Sequence, residues 1–259
     1  MNLRDETRRQ IHDDFARLRS ETRAVAPDSW WLKQTELTTL GYEGIMAEIA
    51  ERLRGSSPES HQRVLDWGGG PGFLSFLLEQ LGIESTYFDL EHDFPSYKHV
   101  LSLLKADIHF ADDPVKLPFE DGSFDAVISC GVLEHVPDPV GSLAELNRVL
   151  KPGGLLFIYH FPNRWSYTEA LAGLLGRNTH DTRWTKARLL GTVRSAGFSI
   201  ERFDFRYMVP RNLIGMGALN RFVSKHAKGI YRADHMVSRI PGLNRIANAL
   251  NLIAVKNED

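Results

Sequence analysis

Between Val64 and Ser75 the chain reads Val-Leu-Asp-Trp-Gly-Gly-Gly-Pro-Gly-Phe-Leu-Ser, and this stretch constrains the fold more than any other. Val64 and Leu65 close an apolar run that suits a buried strand. Phe73, Leu74, Phe76, Leu77, Leu78 and Leu81 then recur at helical spacing. Between strand and helix, Gly68, Gly70 and Gly72 fall on alternate positions. Glycine is needed where backbone turns sharply or approaches a ligand closely, because no Cβ stands in the way. The N–H groups that open the helix point at whatever the loop holds. The stretch reads as a nucleotide-type ligand site at the C-terminal end of a first β-strand.

The spacing narrows the class. Hydride-transfer sites use Gly-x-Gly-x-x-Gly, and phosphate-binding loops need Gly-Lys-Ser/Thr; neither is present. Asp66-x-Gly68-x-Gly70-x-Gly72 instead resembles the first motif of class I S-adenosylmethionine (SAM)-dependent methyltransferases. The resemblance implies SAM as cofactor and makes Asp66, Gly68, Gly69, Gly70 and Gly72 cofactor-site candidates. A structural glycine turn in another α/β protein is the alternative for this loop alone.

Composition sets the outer limits. The 259 residues are 42% hydrophobic and 25% charged, which suits one large α/β domain with an insertion. A net charge of −2 gives no global reason to expect nucleic acid. Cys130 is the single cysteine, so neither an intramolecular disulfide nor a Cys-rich zinc site can form. The opening Met-Asn-Leu-Arg-Asp-Glu has no apolar core of a secretory signal, and no run approaches the roughly 18 apolar residues of a membrane span. A cytoplasmic protein is expected, with peripheral contact at the inner membrane face left open.

Residues 1–27 are dense in charge, with Leu3, Ile11, Phe15 and Leu18 as sparse apolar points, and read as a solvated helix or arm. Trp30, Trp31 and Tyr42 lie in or beside an amphipathic segment that runs to about Arg54. Packing against the main domain is the favoured reading for them; a lid over the sulfonium is the alternative. Ser85–Asp89 reads as a second strand ending in an acid about 20 residues past the glycine loop, where a carboxylate can bond both ribose hydroxyls. Asp89 and its neighbour Leu90 join the cofactor candidates.

Further along, His99–Lys105 reads as helix and Ile108–Phe110 as a short third strand. Ala126–Ser129 is an apolar fourth strand, followed by Cys130 and Gly131, then Glu134-His135. Val140–Leu150 suits a helix, Lys151–Gly154 a turn, and Leu155–His160 a fifth strand. Thr185–Gly197 has a Thr cap and a Gly stop, strand six spans Phe198–Tyr207, and strand seven spans Leu250–Val255.

Asp89, Leu117-Pro-Phe, Asp121-Gly-Ser-Phe-Asp, Leu133-Glu-His-Val and Leu150-Lys-Pro-Gly-Gly occur in order. Together they resemble the methyltransferase group that includes ubiquinone-pathway and sugar or polyketide enzymes, closely over residues 60–160 and loosely over 180–205. That likeness implies an α/β, Rossmann-like, seven-stranded mixed sheet with helices on both faces and an antiparallel last strand. It also implies an acid on the adenine amino group, Asp113 or its neighbour Asp112, and a cofactor contact through the backbone at Cys130 and Gly131. The division expected is an N-terminal helical arm or lid (1–57), the SAM-binding core (58–208), a basic helical cap between strands six and seven (209–249), and the last strand with its tail (250–259).

SAM carries its methyl group on a sulfonium, so the enzyme has to align a nucleophile, exclude water and, for a hydroxyl acceptor, supply a base. His135, His160 and His180 are the candidate bases. A supporting role in the cofactor loop competes for Glu134-His135, and a purely structural role for the other two. Cys130 lacks the Pro-Cys setting of cytosine-C5 methylation, and Ser129-Cys-Gly-Val does not match amino-methylating base enzymes. No spacing requires a metal. The expected reaction is methyl transfer to an oxygen of a small molecule, a lipid-linked precursor or a glycan. Carbon methylation or cyclopropanation of a lipid and a non-catalytic SAM-binding subunit are the alternatives. The basic cap suits an anionic lipid or substrate, or simply a solvated face.

Overall fold

A computed structural model describes residues 3–56, 62–111, 113, 115–174, 182–211, 213 and 216–258. Its strands form one seven-stranded mixed sheet in the order β3-β2-β1-β4-β5-β7-β6. The chain divides into two compact units: residues 1–110 with 211–231, and residues 111–210 with 232–259.

In the first unit β1 (Arg63–Trp67) pairs in parallel with β2 (Glu84–Asp89), which pairs in parallel with β3 (Asp107–Phe110). The helix following the glycine loop is α3 (Phe73–Gln80), whose first six residues are all buried. The first helix, α1 (Leu3–Val25), is not a solvated arm. Ile11, Phe15 and Leu18 are 0–2% exposed, and Phe15 stacks on Trp31 at 6.3 Å and meets Phe73 at 5.4 Å. Three apolar points on successive turns are enough to dock a helix that is otherwise charged.

Trp31 and Tyr42 pack against Phe73, as the favoured reading had it. Trp30 differs: it is 45% exposed and donates from Nε1 to the Tyr97 hydroxyl at 3.3 Å. Tyr42 belongs to α2 (Glu36–Ser56). Tyr97 belongs to α4 (Pro95–Leu103), which begins four residues before the expected His99 because Pro95, with its fixed φ and missing N–H, suits a first helical turn.

In the second unit β4 (Phe124–Cys130) runs parallel to β5 (Leu150–Pro162). β7 (Ala249–Lys256) runs antiparallel to both β5 and β6 (Phe198–Arg206), so the antiparallel last strand is present. Lys151–Gly154, expected as a separate turn, is continuous with β5. Phe124 pairs with Leu150 but Ala126 with Leu155, so these residues bulge from the ladder, with Gly153 at φ 72°. The helix leading into β5 is α5 (Pro139–Val149), capped by the Asp138 carboxylate. After β5 come α6 (Tyr167–Leu174) and α7 (Lys186–Ser195); Thr185 caps α7 as expected, accepting from Arg188 N–H at 3.2 Å. The expected cap contains α8 (Gly217–Lys225) and α9 (Ala227–Val237).

Candidate active site

The glycine loop is shaped from both ends. Gly68, Gly70 and Gly72 have φ of 70°, 53° and 80°, where a side chain is strained. Gly69 is glycine for another reason: a Cβ there would lie 2.4 Å from the Tyr87 ring. At Gly70 an added Cβ meets nothing closer than the Gly68 carbonyl at 4.0 Å, so its outer face is open for a ligand. The Gly68 and Gly69 amides donate to the Phe88 carbonyl at 2.7 and 3.2 Å. Tyr87 donates its hydroxyl to the Gly70 carbonyl at 2.8 Å.

Asp89 closes this cradle. Its Oδ2 accepts from Gly70 N–H at 2.6 Å and its Oδ1 from Leu90 N–H at 2.7 Å. A carboxylate has about four acceptor sites, so two such bonds leave capacity for a vicinal diol. Rings gather beside it: His92 Nε2 lies 3.6 Å from Oδ1, and His92 packs against Phe94 and Tyr97.

Asp66 has a different contact. It is 1% exposed, and its Oδ2 accepts from the Ser75 hydroxyl at 2.7 Å and from Ser75 N–H at 3.2 Å. Burial pushes its carboxyl up to about 6, against the pull of Ser75. Asp66 therefore ties the end of β1 to the first turn of α3 and sets where the loop between them must run.

In the second unit β4 leads through Cys130 to Gly131, whose φ is 71° and whose N–H donates to the Tyr159 carbonyl at 2.9 Å. Glu134 is 6% exposed, and burial pushes its carboxyl up to about 8. His135 Nε2 lies 3.9 Å from Glu134 Oε1, and the His135 side chain is 61% exposed.

His160, near the end of β5, is more constrained than the exposed His135. Its φ is 63°, and its N–H donates to Asn251 Oδ1 at 3.0 Å. Its Nε2 shares a 2.7 Å hydrogen bond with the Tyr207 hydroxyl, and its Nδ1 lies 3.8 Å from Cys130 Sγ. Tyr207 is 7% exposed and also left-handed, with φ 68°.

The structure thus brings together Asp66, the four glycines, Asp89 and Leu90 in one unit. In the other it joins Cys130 to His160. Asp113 is exposed and occupied locally, its Oδ1 accepting from Val115 N–H and Lys116 N–H at 2.8 Å each, which holds its carboxyl below the usual range. Asp112 and His180 lie outside the described residues. Tyr207 went unnoticed in the sequence, where it is one aromatic closing an ordinary strand; only its place next to the His160 ring distinguishes it. Among the described residues no three His, Cys, Asp or Glu side chains are grouped as metal ligands.

A seven-stranded sheet with an antiparallel last strand, carrying an open glycine cradle bonded to Asp89 at the end of β2, is similar to that of class I SAM-dependent methyltransferases. Comparison with known proteins agrees. Residues 65–158 match the family described as methyltransferase domain, and SAM is the cofactor of this class. A ubiquinone biosynthesis O-methyltransferase of Xanthomonas axonopodis pv. citri is 33% identical over 151 residues, which cover 54% of this chain and 63% of that protein. The chain therefore spans less than two thirds of that relative's length. Another ubiquinone biosynthesis O-methyltransferase, from Ralstonia nicotianae, is 28% identical over 215 residues, covering 75% and 85%. The fold is shared with a SAM-dependent methyltransferase structure from Methanosarcina mazei, with a TM-score of 0.56 at 19% identity over 78% of this chain and 95% of that one.

Proposed function

We propose that the protein transfers a methyl group from SAM to a hydroxyl oxygen of a small molecule, with lipid-linked precursors and glycans as the acceptor classes to screen first. The observation that carries this reading is the His160–Tyr207 pair at the end of β5. A neutral hydroxyl is a poor nucleophile until its proton is taken, and imidazole is the side chain best suited to take it near neutral pH. If His160 Nε2–H donates to Tyr207, Nδ1 is left as the lone-pair nitrogen, facing the weak donor Cys130 Sγ. An acceptor hydroxyl replaces that thiol contact. The names of the Xanthomonas and Ralstonia relatives support oxygen as the methylated atom.

The sulfonium of bound SAM supplies an electrophilic methyl group. In this reading Asp89 accepts from the ribose hydroxyls, the bare backbone of Gly68–Gly72 allows close approach, and Asp66 fixes the loop through Ser75. The acid after β3 (Asp112 or Asp113) serves the adenine, Cys130 and Gly131 line the cofactor through their backbone, and His135 has the supporting role beside Glu134. The basic cap at 209–249 is assigned to contact with an anionic lipid or substrate. From Arg206 to Arg245 the chain has eight Lys or Arg residues against the single acid Asp234, which is buried and accepts from Val209 N–H. Met216, Leu219 and Phe222 are exposed on or beside α8, and Met236 on α9. A basic surface with exposed apolar side chains supports peripheral contact of a cytoplasmic protein with an anionic membrane. No helix among the described residues is long and apolar enough to cross one.

The test is incubation with methyl-labelled SAM and membrane or glycan fractions, following release of S-adenosylhomocysteine and label in the acceptor. Once an acceptor is found, its analogue with OH replaced by H must lose the reaction. An analogue methylated as fast as the parent rules out oxygen as the site.

A further inference from the structure

A cavity of about 450 Å³ opens within the second unit. Its walls come from Asn163 and Trp165 just past β5, the first turn of α7, Phe205 on β6, and the loop that ends at Arg245. One buried residue stitches these walls together. Asn163 donates from Nδ2 to the carbonyls of Arg245 and Ala247, both at 2.8 Å, and its Oδ1 accepts from Trp165 N–H at 3.3 Å. Arg164 N–H donates to the Trp184 carbonyl, which ties the same segment to the start of α7. The hollow is therefore built into the fold.

Among the described residues its lining has two cations, Lys186 and Arg245, and no carboxylate. Among the described residues, the neighbouring acids are engaged elsewhere, Asp204 with Arg202 at 2.6 Å and Glu169 with Arg183 at 3.6 Å. Lys186 Nζ stands 4.5 Å from the Phe203 ring centroid, and Lys186 and Ala187 open α7, whose N-terminal end adds partial positive charge. Two full positive charges and a helix end match a phosphate of charge about −1.5 to −2 better than a single carboxylate. The other components are apolar. Trp165 is 62% exposed, and Ile240 and Leu243, next to the lining residues Pro241 and Gly242, are 47% and 42% exposed.

We infer that this cavity is a subsite for a phosphate ester, with the phosphate on Lys186 and Arg245 and the organic part against Trp165 and Phe205. The inference deepens the proposed function and rests on it for its setting, since the subsite then holds the anionic end of the acceptor. Two sources share this chemistry, a lipid headgroup and a soluble phosphate ester.

The experiment titrates the full chain with octyl phosphate, glucose 1-phosphate and inorganic phosphate, following tryptophan emission. Sedimentation with phosphatidylcholine vesicles, with and without phosphatidic acid, runs alongside. Saturable binding of an ester is expected, weakened about tenfold or more by Lys186→Gln with Arg245→Gln, and with the emission change lost in Trp165→Phe. Binding of octyl phosphate and of the phosphatidic acid vesicles indicates the lipid source; binding of glucose 1-phosphate without the vesicles indicates the soluble one. The proposal is overturned if no ester binds, if the double variant binds as tightly as wild type, or if inorganic phosphate binds as tightly as the esters. SAM titration of each protein separates the two readings. SAM affinity is expected to be unchanged in the variants, and a chain that binds SAM but no ester fails this inference alone.

Discussion

His160 and Tyr207 are both left-handed, at φ 63° and 68°, and their side chains meet in a 2.7 Å hydrogen bond. Each non-glycine residue in that region costs about 1–3 kcal/mol, a cost that persists only where surrounding structure fixes it. Here β5, β7 and the Asn248 N–H bond to the Tyr207 carbonyl do so. With His160 as the base and Tyr207 as the residue that orients it, His160→Gln should lower kcat by about 100-fold or more. Tyr207→Phe should lower kcat by about tenfold while leaving KM for SAM unchanged. The acid limb of the pH–rate profile should be present in wild type and absent in His160→Gln. A His160→Gln enzyme with wild-type kcat and the same acid limb removes His160 from the chemistry.

Gly70 tests the cradle. Its φ of 53° disfavours a β-branched residue, and the direction its Cβ would take is open. Gly70→Val should therefore fold with a penalty of about 1–2 kcal/mol yet lose SAM binding, because the new methyl groups fill the ligand's approach. Calorimetric titration with SAM, together with a urea midpoint, separates the two effects. Wild-type SAM affinity in this variant means that the ligand does not approach Gly70.

The contrast between these two places explains what could be read from the sequence. The β1 loop announces itself because positive φ and close approach demand glycine, which is visible as a letter. Thr185 and the apolar run of β4 are legible for the same reason, as local rules with local signatures. The strain at His160 and Tyr207 is imposed by partners 47 residues apart in sequence, and neither residue type signals it. Trp30 and Trp31 are neighbours of one type, yet one is exposed and the other buried, because the Phe15 and Phe73 rings lie on one side only. Lys151–Gly154 has turn residues but continues a strand, since a bulge uses the same chemistry.

Glu134 gives a pH test. Its folded value is raised from 4.5 to about 8 by burial, so the folded state holds the proton more tightly than the unfolded chain. The stability this gives is fully present below about pH 4.5 and is lost as pH rises through about 8. The loss at full ionisation is on the order of 5 kcal/mol for a shift of this size. Glu134→Gln mimics the protonated form. Wild type and variant should melt alike near about pH 5, and the variant should be the more stable near about pH 9. Parallel melting curves across that range would show that Glu134 ionises as freely in the folded state as in the unfolded one.

Phe15 links the first helix to the cofactor loop. It is 2% exposed, stacks on Trp31 with an interplanar angle of 3°, and lies 5.4 Å from Phe73, the first residue of α3 after Gly72. Truncating such a ring leaves a cavity and costs about 3–5 kcal/mol. Gly72 has a second restraint, since Leu101 and Val100 would lie 3.1 and 3.4 Å from an added Cβ, so the loop's geometry depends on α3 staying in place. Phe15→Ala should therefore lower the urea midpoint and weaken SAM binding together, although Phe15 itself belongs to no ligand site. Phe15→Leu, which keeps most of the volume, should recover much of both. If Phe15→Ala loses stability but binds SAM as wild type, then α1 supports the fold without positioning the loop.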